Sequence, residues 1–142
     1  MNDRFRFRVW NEEEKIFEEI NFNRTDGFFI SQDGKLFEIT RLDYDSSYID
    51  ERPDLIKEFC TGLKDKNGKL IYEGDVVEAV VQNHYKLKGI ICWEIDRYQI
   101  KDLNAPVLFD LYEALYDSDT GFEKNTIEVI GNIHENPELL EK

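Results

Sequence analysis

The side chains in this sequence that are best placed to bind a ligand surround two successive turns. They are five lysines and one tyrosine: Lys64, Lys66, Lys69, Tyr72, Lys86 and Lys88. Ammonium groups neutralise phosphates or carboxylates, and aromatic rings stack on nucleic-acid bases. Because adjacent hairpins of a small barrel could bring both groups of lysines onto one face, we take these residues as the candidate partner-binding site.

Acidic residues interleave with those lysines and reduce the local positive charge. Four of them fall in the same stretch: Asp65, Glu73, Asp75 and Glu78. A solvated hairpin tip is therefore the plainer interpretation of the cluster. A small nucleic-acid-associated module that uses the hairpin of Lys64, Lys66 and Lys69 is the alternative.

Metal-binding patterns match only in part. Asp117, Asp119 and Glu128 fall at the first, third and twelfth positions of a calcium-binding loop. However, Phe122 stands at the sixth position, where the sharp turn of such a loop needs glycine. An acidic turn before a strand explains the segment equally well, and we expect no metal.

The cysteines and histidines do not form a recognisable site either. Cys60, Cys92, His84 and His134 lack the spacing of a zinc site, and buried cysteines usually behave as inert small hydrophobes. The sequence also contains no GxSxG elbow and no GxxxxGK or GxGxxG phosphate loop. We therefore expect neither a cofactor nor an enzymatic activity.

The overall charge points to proteins rather than nucleic acids as partners. Eighteen Lys and Arg residues against 31 Asp and Glu residues give a net charge of -13 in 142 residues. A field of that sign repels phosphate backbones. An acidic surface can serve solubility, or it can imitate DNA towards a basic protein, and both interpretations stay open.

Composition also bears on location. The opening residues MNDRFRFRVW contain no apolar run typical of a signal peptide, and no stretch approaches the roughly 18 apolar residues of a membrane span. The two cysteines form no CxxC pair. The sequence therefore predicts a cytoplasmic protein with reduced thiols and no membrane contact.

The first half of the chain predicts several strands. Charged and apolar residues alternate over 4–9, so that Phe5, Phe7 and Val9 would line one face and Arg4, Arg6 and Arg8 the other. A weaker strand is predicted over 16–22. Segments 28–30 and 36–39 predict a hairpin that turns at Asp33-Gly34. The acidic stretch 43–52 predicts an exposed loop, and 53–58 either one helical turn or an extended lead.

The second half predicts a small barrel. Asn67-Gly68 and Gly74 mark turns, and short strands are predicted over 76–81, 89–95, 98–100 and 127–133, with a loop over 82–88. Segment 107–116 fits helix or strand. Asn136 and Pro137 begin a short terminal helix.

The fold class is mainly β, with little helix: an SH3-like barrel preceded by extra N-terminal strands and a hairpin. The chain is read as one domain over 1–142, or as lobes 1–50 and 56–142.

Three blocks in this sequence resemble the YopX family of phage and prophage proteins. They are FRVW near the start, TGLKDKNGKLIYEGDVV over Thr61–Val77 and EVIGNIHENPELLE over Glu128–Glu141. The resemblance implies a mainly β fold and a role in a phage or prophage within the bacterial cytoplasm. It implies no activity and no site residues. We therefore expect a non-enzymatic accessory protein that binds a host or phage protein or associates with itself.

Overall fold

The chain is built almost wholly from antiparallel strands. The computed structural model describes residues 5–19, 27–82, 84–116 and 124–141. Within them lie twelve strands and two short 3-10 helices, and no α-helix. The predicted mainly β class is therefore confirmed.

Two compact units make up the molecule. One holds Met1–Phe7 with Glu58–Lys142, and the other holds Arg8–Lys57. The lobes proposed from the sequence, 1–50 and 56–142, stay predictions.

The smaller unit contains a two-stranded hairpin and a three-stranded meander. Its strands are β1 (Phe7–Asn11), β2 (Ile16–Phe17), β3 (Gly27–Ile30), β4 (Leu36–Arg41) and β5 (Ser47–Glu51). β1 pairs with β2, and β4 lies between β3 and β5, all antiparallel. The rings of Phe29 and Phe37 stack 5.1 Å apart across β3 and β4. This apolar pair lies on one face of the meander.

Three predictions for this region are corrected by the structure. The first strand begins at Phe7 rather than residue 4, and Phe5 is 70% exposed instead of sharing an apolar face. Within β1 the consecutive residues Val9 and Trp10 are both buried. Because consecutive side chains of a strand point to opposite faces, both faces of β1 are covered, whereas alternation predicts only one buried face. The predicted strand 16–22 is confirmed only at Ile16–Phe17, and residues 20–22 lie outside the described residues.

The stretch 43–52, predicted as a loop, contains strand β5. All five of its residues are exposed, so no face of it is apolar enough to show a periodic pattern. Its strand conformation comes from backbone pairing with β4, which the sequence does not display.

Both predicted hairpin turns exist, but they are three-residue loops. Ser31 N–H donates to Lys35 C=O at 2.9 Å, and Asp65 N–H donates to Lys69 C=O at 2.8 Å. The last residue of each loop is the glycine, Gly34 or Gly68, and each has φ +84°. Three-residue hairpins end on one left-handed residue, and in both loops that residue is the glycine.

The larger unit is a strand-rich body that ends in a 3-10 turn. After β6 (Ile56–Lys64) and β7 (Leu70–Tyr72), it contains β8 (Asp75–Val81), β9 (Tyr85–Glu94), β10 (Arg97–Asp102), β11 (Leu108–Asp110) and β12 (Glu128–Asn132). Strands β11-β10-β9-β8-β12 form one antiparallel sheet that curls into a half-barrel. The 3-10 helices are Leu111–Ala114 and Pro137–Leu140.

The curled sheet encloses the core of this unit. Its buried apolar residues come from β7 to β10, from the first 3-10 helix and from the lead into β12: Ile71, Val77, Ala79, Val81, Leu87, Ile91, Ile100, Leu111, Ala114, Leu115 and Ile127. Alternation along β8 buries Val77, Ala79 and Val81 and exposes Glu78 on the other face. The opposite face is thus free to carry charge.

Several boundaries in this unit differ from the predictions. The predicted loop 82–88 is mostly strand, because β9 already begins at Tyr85. Segment 53–58 is not helical, since β6 begins at Ile56. Segment 107–116 is both strand and helix, as β11 leads directly into Leu111–Ala114. Asn136 does not cap the last helix; its Oδ1 accepts the N–H of Asn132 at 3.2 Å.

The blocks that resemble YopX bond to one another. Asp65 is only 4% exposed, and its Oδ1 accepts the N–H groups of Asn67 and Lys69, both at 2.9 Å. Its Oδ2 accepts the N–H of Val129 at 3.0 Å, and Ile133 N–H donates to Gly74 C=O at 2.9 Å. The central hairpin and the closing strand are therefore fixed together by buried polar groups.

Gly74 is the position where substitution should be most costly. Its φ is +83°, and a Cβ there would stand 2.0 Å from Oε2 of the buried Glu58. Gly68 has nearly the same φ but open space around it. We expect Gly68→Ala to lower the free energy of unfolding by about 1–2 kcal/mol, the cost of a left-handed alanine. Gly74→Ala should cost roughly 3 kcal/mol or more, because the carboxylate must also move.

Urea denaturation of both variants, followed by tryptophan fluorescence, measures these differences. The Gly68 variant is the matched control for backbone conformation. Equal losses of stability in the two variants would show that the close approach of Gly74 to Glu58 contributes nothing.

Candidate functional site

A cleft of about 430 Å³ opens beside β8, β9 and β12 and contains three of the five candidate lysines. We call it the charged cleft. Its lining residues are Lys66, Glu78, Ala79, Val80, Lys86, Leu87, Lys88, Thr126 and Glu128. The register places Glu78 directly opposite both Glu128 on β12 and Lys88 on β9. These three side chains consequently share one face of the sheet.

The charges in this cleft largely neutralise one another. Two glutamates directly opposite each other repel, so Glu78 and Glu128 need cations beside them. Lys66 Nζ lies 3.2 Å from Glu128 Oε2, and Lys88 is the cross-strand neighbour of Glu78. The order across the strands is therefore Lys66, Glu128, Glu78, Lys88. Lys86, opposite Val80, supplies the one positive charge by which the lining lysines exceed its glutamates.

The structure brings together three of the six candidate residues. Lys66, Lys86 and Lys88 line the charged cleft. Lys64 ends β6 and Lys69 directly follows the hairpin loop; both are exposed and neither lines the cleft. Tyr72 is half-buried in β7, where its N–H donates to Asp75 Oδ2 at 2.8 Å. Whether any of them binds a partner stays a prediction.

A second cleft, of about 400 Å³, is rich in aromatic side chains. We call it the aromatic cleft. It is lined by Thr61, Leu63, Trp93, Asp96, Arg97, Tyr98, Asp110, Leu111 and Tyr112. Trp93 is 52% exposed and Tyr112 is 57% exposed, although both are large rings. Trp93 meets Tyr98 edge to face, with centroids 4.8 Å apart, so the tryptophan is held in position yet remains accessible.

One arginine is fixed at the rim of the aromatic cleft by two carboxylates. Arg97 Nε donates to Asp96 Oδ1 at 2.9 Å, and its terminal nitrogen donates to Asp110 Oδ2 at 3.1 Å. These hydrogen bonds, with Asp96 first, raise the pKa of Arg97, and the same contact lowers the pKa of Asp96. The guanidinium therefore stays charged and holds the first 3-10 helix, capped by Asp110, next to the β9–β10 hairpin.

The tip of that hairpin is strained and apolar. Ile95 has φ +64° and is 91% exposed. Asp96 N–H donates to Glu94 C=O at 2.8 Å, which closes a three-residue γ-turn centred on Ile95. The γ-turn with a positive central φ is rare and strained, and a β-branched residue there is a marked outlier. Folding by itself gives no reason for an exposed isoleucine at this position.

The residues considered for catalysis or metal binding are dispersed. Cys60 is fully buried, and burial raises the pKa of Cys92, which disfavours its thiolate. His134 Nε2 lies 3.2 Å from Glu58 Oε2 in a contact that is about nine-tenths buried. Among the described residues no three His, Cys, Asp or Glu side chains gather as metal ligands. Residues 117 and 119 of the considered calcium loop lie outside the described residues.

The sequence did not point to the aromatic cleft. None of the six candidate residues lies in it, and its aromatic side chains are Trp93, Tyr98 and Tyr112. Trp93 and Tyr98 face each other because Glu94 pairs with Arg97 and leaves a loop of only two residues. Nothing in the sequence brings Tyr112 to the same place.

Comparison with protein-family models matches residues 6–141 to the YopX protein family. The chain belongs to the YopX family. Among solved structures it is similar to the YopX protein of Bacillus subtilis, with a TM-score of 0.60 and 22% identity over 99% of this chain and 100% of that one. It is also similar to protein EF1440 of Enterococcus faecalis, with a TM-score of 0.54 and 27% identity over 95% and 96%. No curated protein matches the chain.

These matches place the YopX fold on the whole chain without assigning a function. The predicted resemblance to YopX is confirmed. No helix among the described residues is long and apolar enough to cross a membrane.

Tyr98, in the aromatic cleft, should make the free energy of unfolding depend on pH in the alkaline range. Burial raises the pKa of Tyr98 to about 12, because the phenolate would lose its hydration. The unfolded chain releases this proton nearer pH 10, so the stabilisation is complete below about pH 10 and is lost as the pH rises towards 12. In urea titrations we expect the free energy of unfolding to fall less steeply over that range in Tyr98→Phe than in the natural chain. Parallel profiles would contradict the assignment.

Proposed function

We propose that this YopX-family chain is a non-enzymatic accessory protein of a phage or prophage that acts by binding another protein through the aromatic cleft. Solvent-accessible tryptophan and tyrosine side chains in a shaped cleft are typical of protein interfaces, where they supply most of the binding energy. Trp93 and Tyr112 have this character, and Arg97, which bonds to Asp110, lines the same cleft.

The observation that carries the proposal is Ile95. Its positive φ is costly for a β-branched residue, and its side chain is almost completely exposed to water. Strain of this kind concentrates at functional sites, and an exposed apolar group gains free energy when a partner removes it from water. Ile95 stands at the tip of the hairpin that carries Trp93, so the two side chains can contact the same partner.

The chemistry of the other reactive groups supports a binding role over a catalytic one. The Glu58–His134 pair is enclosed, and the thiol of Cys92 is held away from its reactive form. The setting in a phage or prophage rests on the YopX resemblance alone.

The alternative function is nucleic-acid binding at the charged cleft. Its support is the convergence of Lys66, Lys86 and Lys88. Against it stand the two glutamates within the cleft and the net charge of -13. A nucleic-acid site of this size usually needs several uncompensated cations, because counterion release provides most of the affinity.

Affinity capture with matched variants separates the two functions. The tagged chain, the aromatic variant Trp93→Ala with Tyr112→Ala, and the charged-cleft variant Lys86→Glu with Lys88→Glu would be incubated with bacterial host lysate, with and without nuclease. We expect the natural chain to capture a host protein that is retained after nuclease treatment. The charged-cleft variant should still capture it, whereas its recovery should fall at least tenfold with the aromatic variant. Capture that disappears with nuclease and with the lysine changes would contradict the proposal and favour the alternative.

Substituting Ile95 should separate stability from binding. Asparagine tolerates left-handed backbone better than isoleucine does, and little burial would be lost. We therefore expect Ile95→Asn to raise the free energy of unfolding by about 1 kcal/mol while weakening capture of the same protein severalfold. Urea denaturation and quantitative capture give the two values. A less stable variant would contradict the claim that Ile95 strains the hairpin. A variant that binds as well as the natural chain would contradict a role for Ile95 in binding.

A further inference from the structure

Strand β5 of the smaller unit lies at the edge of its sheet. Within the described residues β5 pairs only with β4, and all five of its residues are exposed. An edge strand presents a row of N–H and C=O groups to which another extended chain can pair. The question is which groups face outward and what kind of chain would fit them.

The hydrogen bonds at the two ends of the β4–β5 pair fix which residues face outward. Leu42 N–H donates to Ser46 C=O at 3.1 Å, and Arg52 N–H donates to Leu36 C=O at 2.8 Å. In an antiparallel pair the bonded residues recur at every second position. Residues 48 and 50 therefore bond to β4, whereas Ser47, Ile49 and Glu51 direct their N–H and C=O groups away from it.

The side chains at this edge would also gain from an added strand. Ile49 is directly opposite Ile39 and is 57% exposed at the margin of the face that holds the stacked Phe29 and Phe37. A further strand beside β5 would cover the isoleucine and extend the apolar face. Tyr48, 55% exposed, would be covered in the same way on the opposite face.

Charge decides the kind of strand that fits. Segment 43–54 contains five carboxylates and one guanidinium. Asp43 is used in the β4–β5 turn, where the N–H of Asp45 and the side chain of Ser46 bond to it, and Asp54 holds Arg52. The exposed Asp50 and Glu51 lie on opposite faces of β5, so both faces of an added strand would meet negative charge.

We propose that the outer edge of β5 binds a basic extended segment of a partner protein by adding it as a fourth strand to the β3–β4–β5 sheet. Backbone hydrogen bonds to Ser47, Ile49 and Glu51 supply affinity, and Lys or Arg side chains next to Asp50 and Glu51 supply selectivity. A second copy of this chain fits less well, because its edge would bring the same excess of carboxylates. This surface is separate from the aromatic cleft and does not depend on the function proposed for it.

The test uses a synthetic seven-residue peptide of alternating lysine and valine, with a glutamate-and-valine peptide as reference. Binding would be followed by backbone amide chemical shifts of the isotope-labelled full chain. We expect shifts at Ser47, Ile49 and Glu51 with the lysine peptide, and at least tenfold weaker binding of the glutamate peptide.

Ile49→Pro distinguishes strand addition from general attraction to an acidic protein. Proline removes an outward N–H without breaking a β4 bond and leaves the charge unchanged. We expect at least tenfold weaker binding of the lysine peptide, whereas Ile49→Ala, which keeps the N–H, should change binding by no more than about threefold. Equal binding by the proline variant would overturn the proposal.

A charge-reversal variant covers the case in which the proline variant does not fold. Asp50→Lys with Glu51→Lys keeps every backbone group and should reverse the preference towards the glutamate peptide. No shifts at β5 at millimolar peptide would overturn the proposal. So would a dimer of the natural chain, seen by analytical ultracentrifugation without peptide, that Ile49→Pro dissociates, because the occupant would then be a second copy.

Discussion

In the larger unit, the buried carboxylate of Asp65 joins the central hairpin to a strand far along the chain. Asp65 accepts two N–H groups of its own hairpin loop and a third from Val129, 64 residues later. A buried carboxylate is stable only when hydrogen bonds replace its lost hydration, and these three donors do so. The loop of Lys66 to Gly68 and the start of β12 are thereby fixed in one arrangement, which also places Lys66 beside Glu128. Two of the blocks that resemble YopX, Thr61–Val77 and Glu128–Glu141, are thus bonded to each other through Asp65.

Charges in both clefts are balanced locally, even though the net charge of the chain is strongly negative. Lys66 and Lys88 flank the adjacent Glu128 and Glu78 in the charged cleft, and Arg97 is shared by two aspartates in the aromatic cleft. Exposed ion pairs of this kind add little stability, but they fix side-chain positions. The net negative charge therefore lies where carboxylates outnumber cations. Segment 43–54, which contains β5, is one such segment, with five carboxylates and one guanidinium. That distribution makes basic proteins better candidate partners than nucleic acids.

Two features of the described residues suit binding to a partner. Ile95 is strained and exposed at a hairpin tip, and β5 pairs with a described strand on one side only. A partner would cover the isoleucine in the first case and add a strand in the second. The two features lie in different units, so a YopX-family chain of this kind offers two surfaces that can be tested separately.

The sequence alone determined the fold class, the family and most turns, because these depend on local chemistry. Gly34, Gly68 and Gly74 mark turns since only glycine takes their backbone conformation easily, and alternation along β8 separates Val77 and Ala79 from Glu78. Strand β5 and the early start of β9 were missed because backbone pairing with a neighbour, rather than side-chain periodicity, makes them strands.

Tertiary structure alone decided which residues meet. Lys66, Lys86 and Lys88 converge but Lys64 and Lys69 do not, since the register of β8, β9 and β12 determines which side chains share a face. Trp93, Tyr98 and Tyr112 form one cleft only because the first 3-10 helix returns to the β9–β10 hairpin, where Arg97 bonds to Asp110. Contacts between residues far apart in the chain arise from packing and strand register, and neither is recorded in the local order of amino acids.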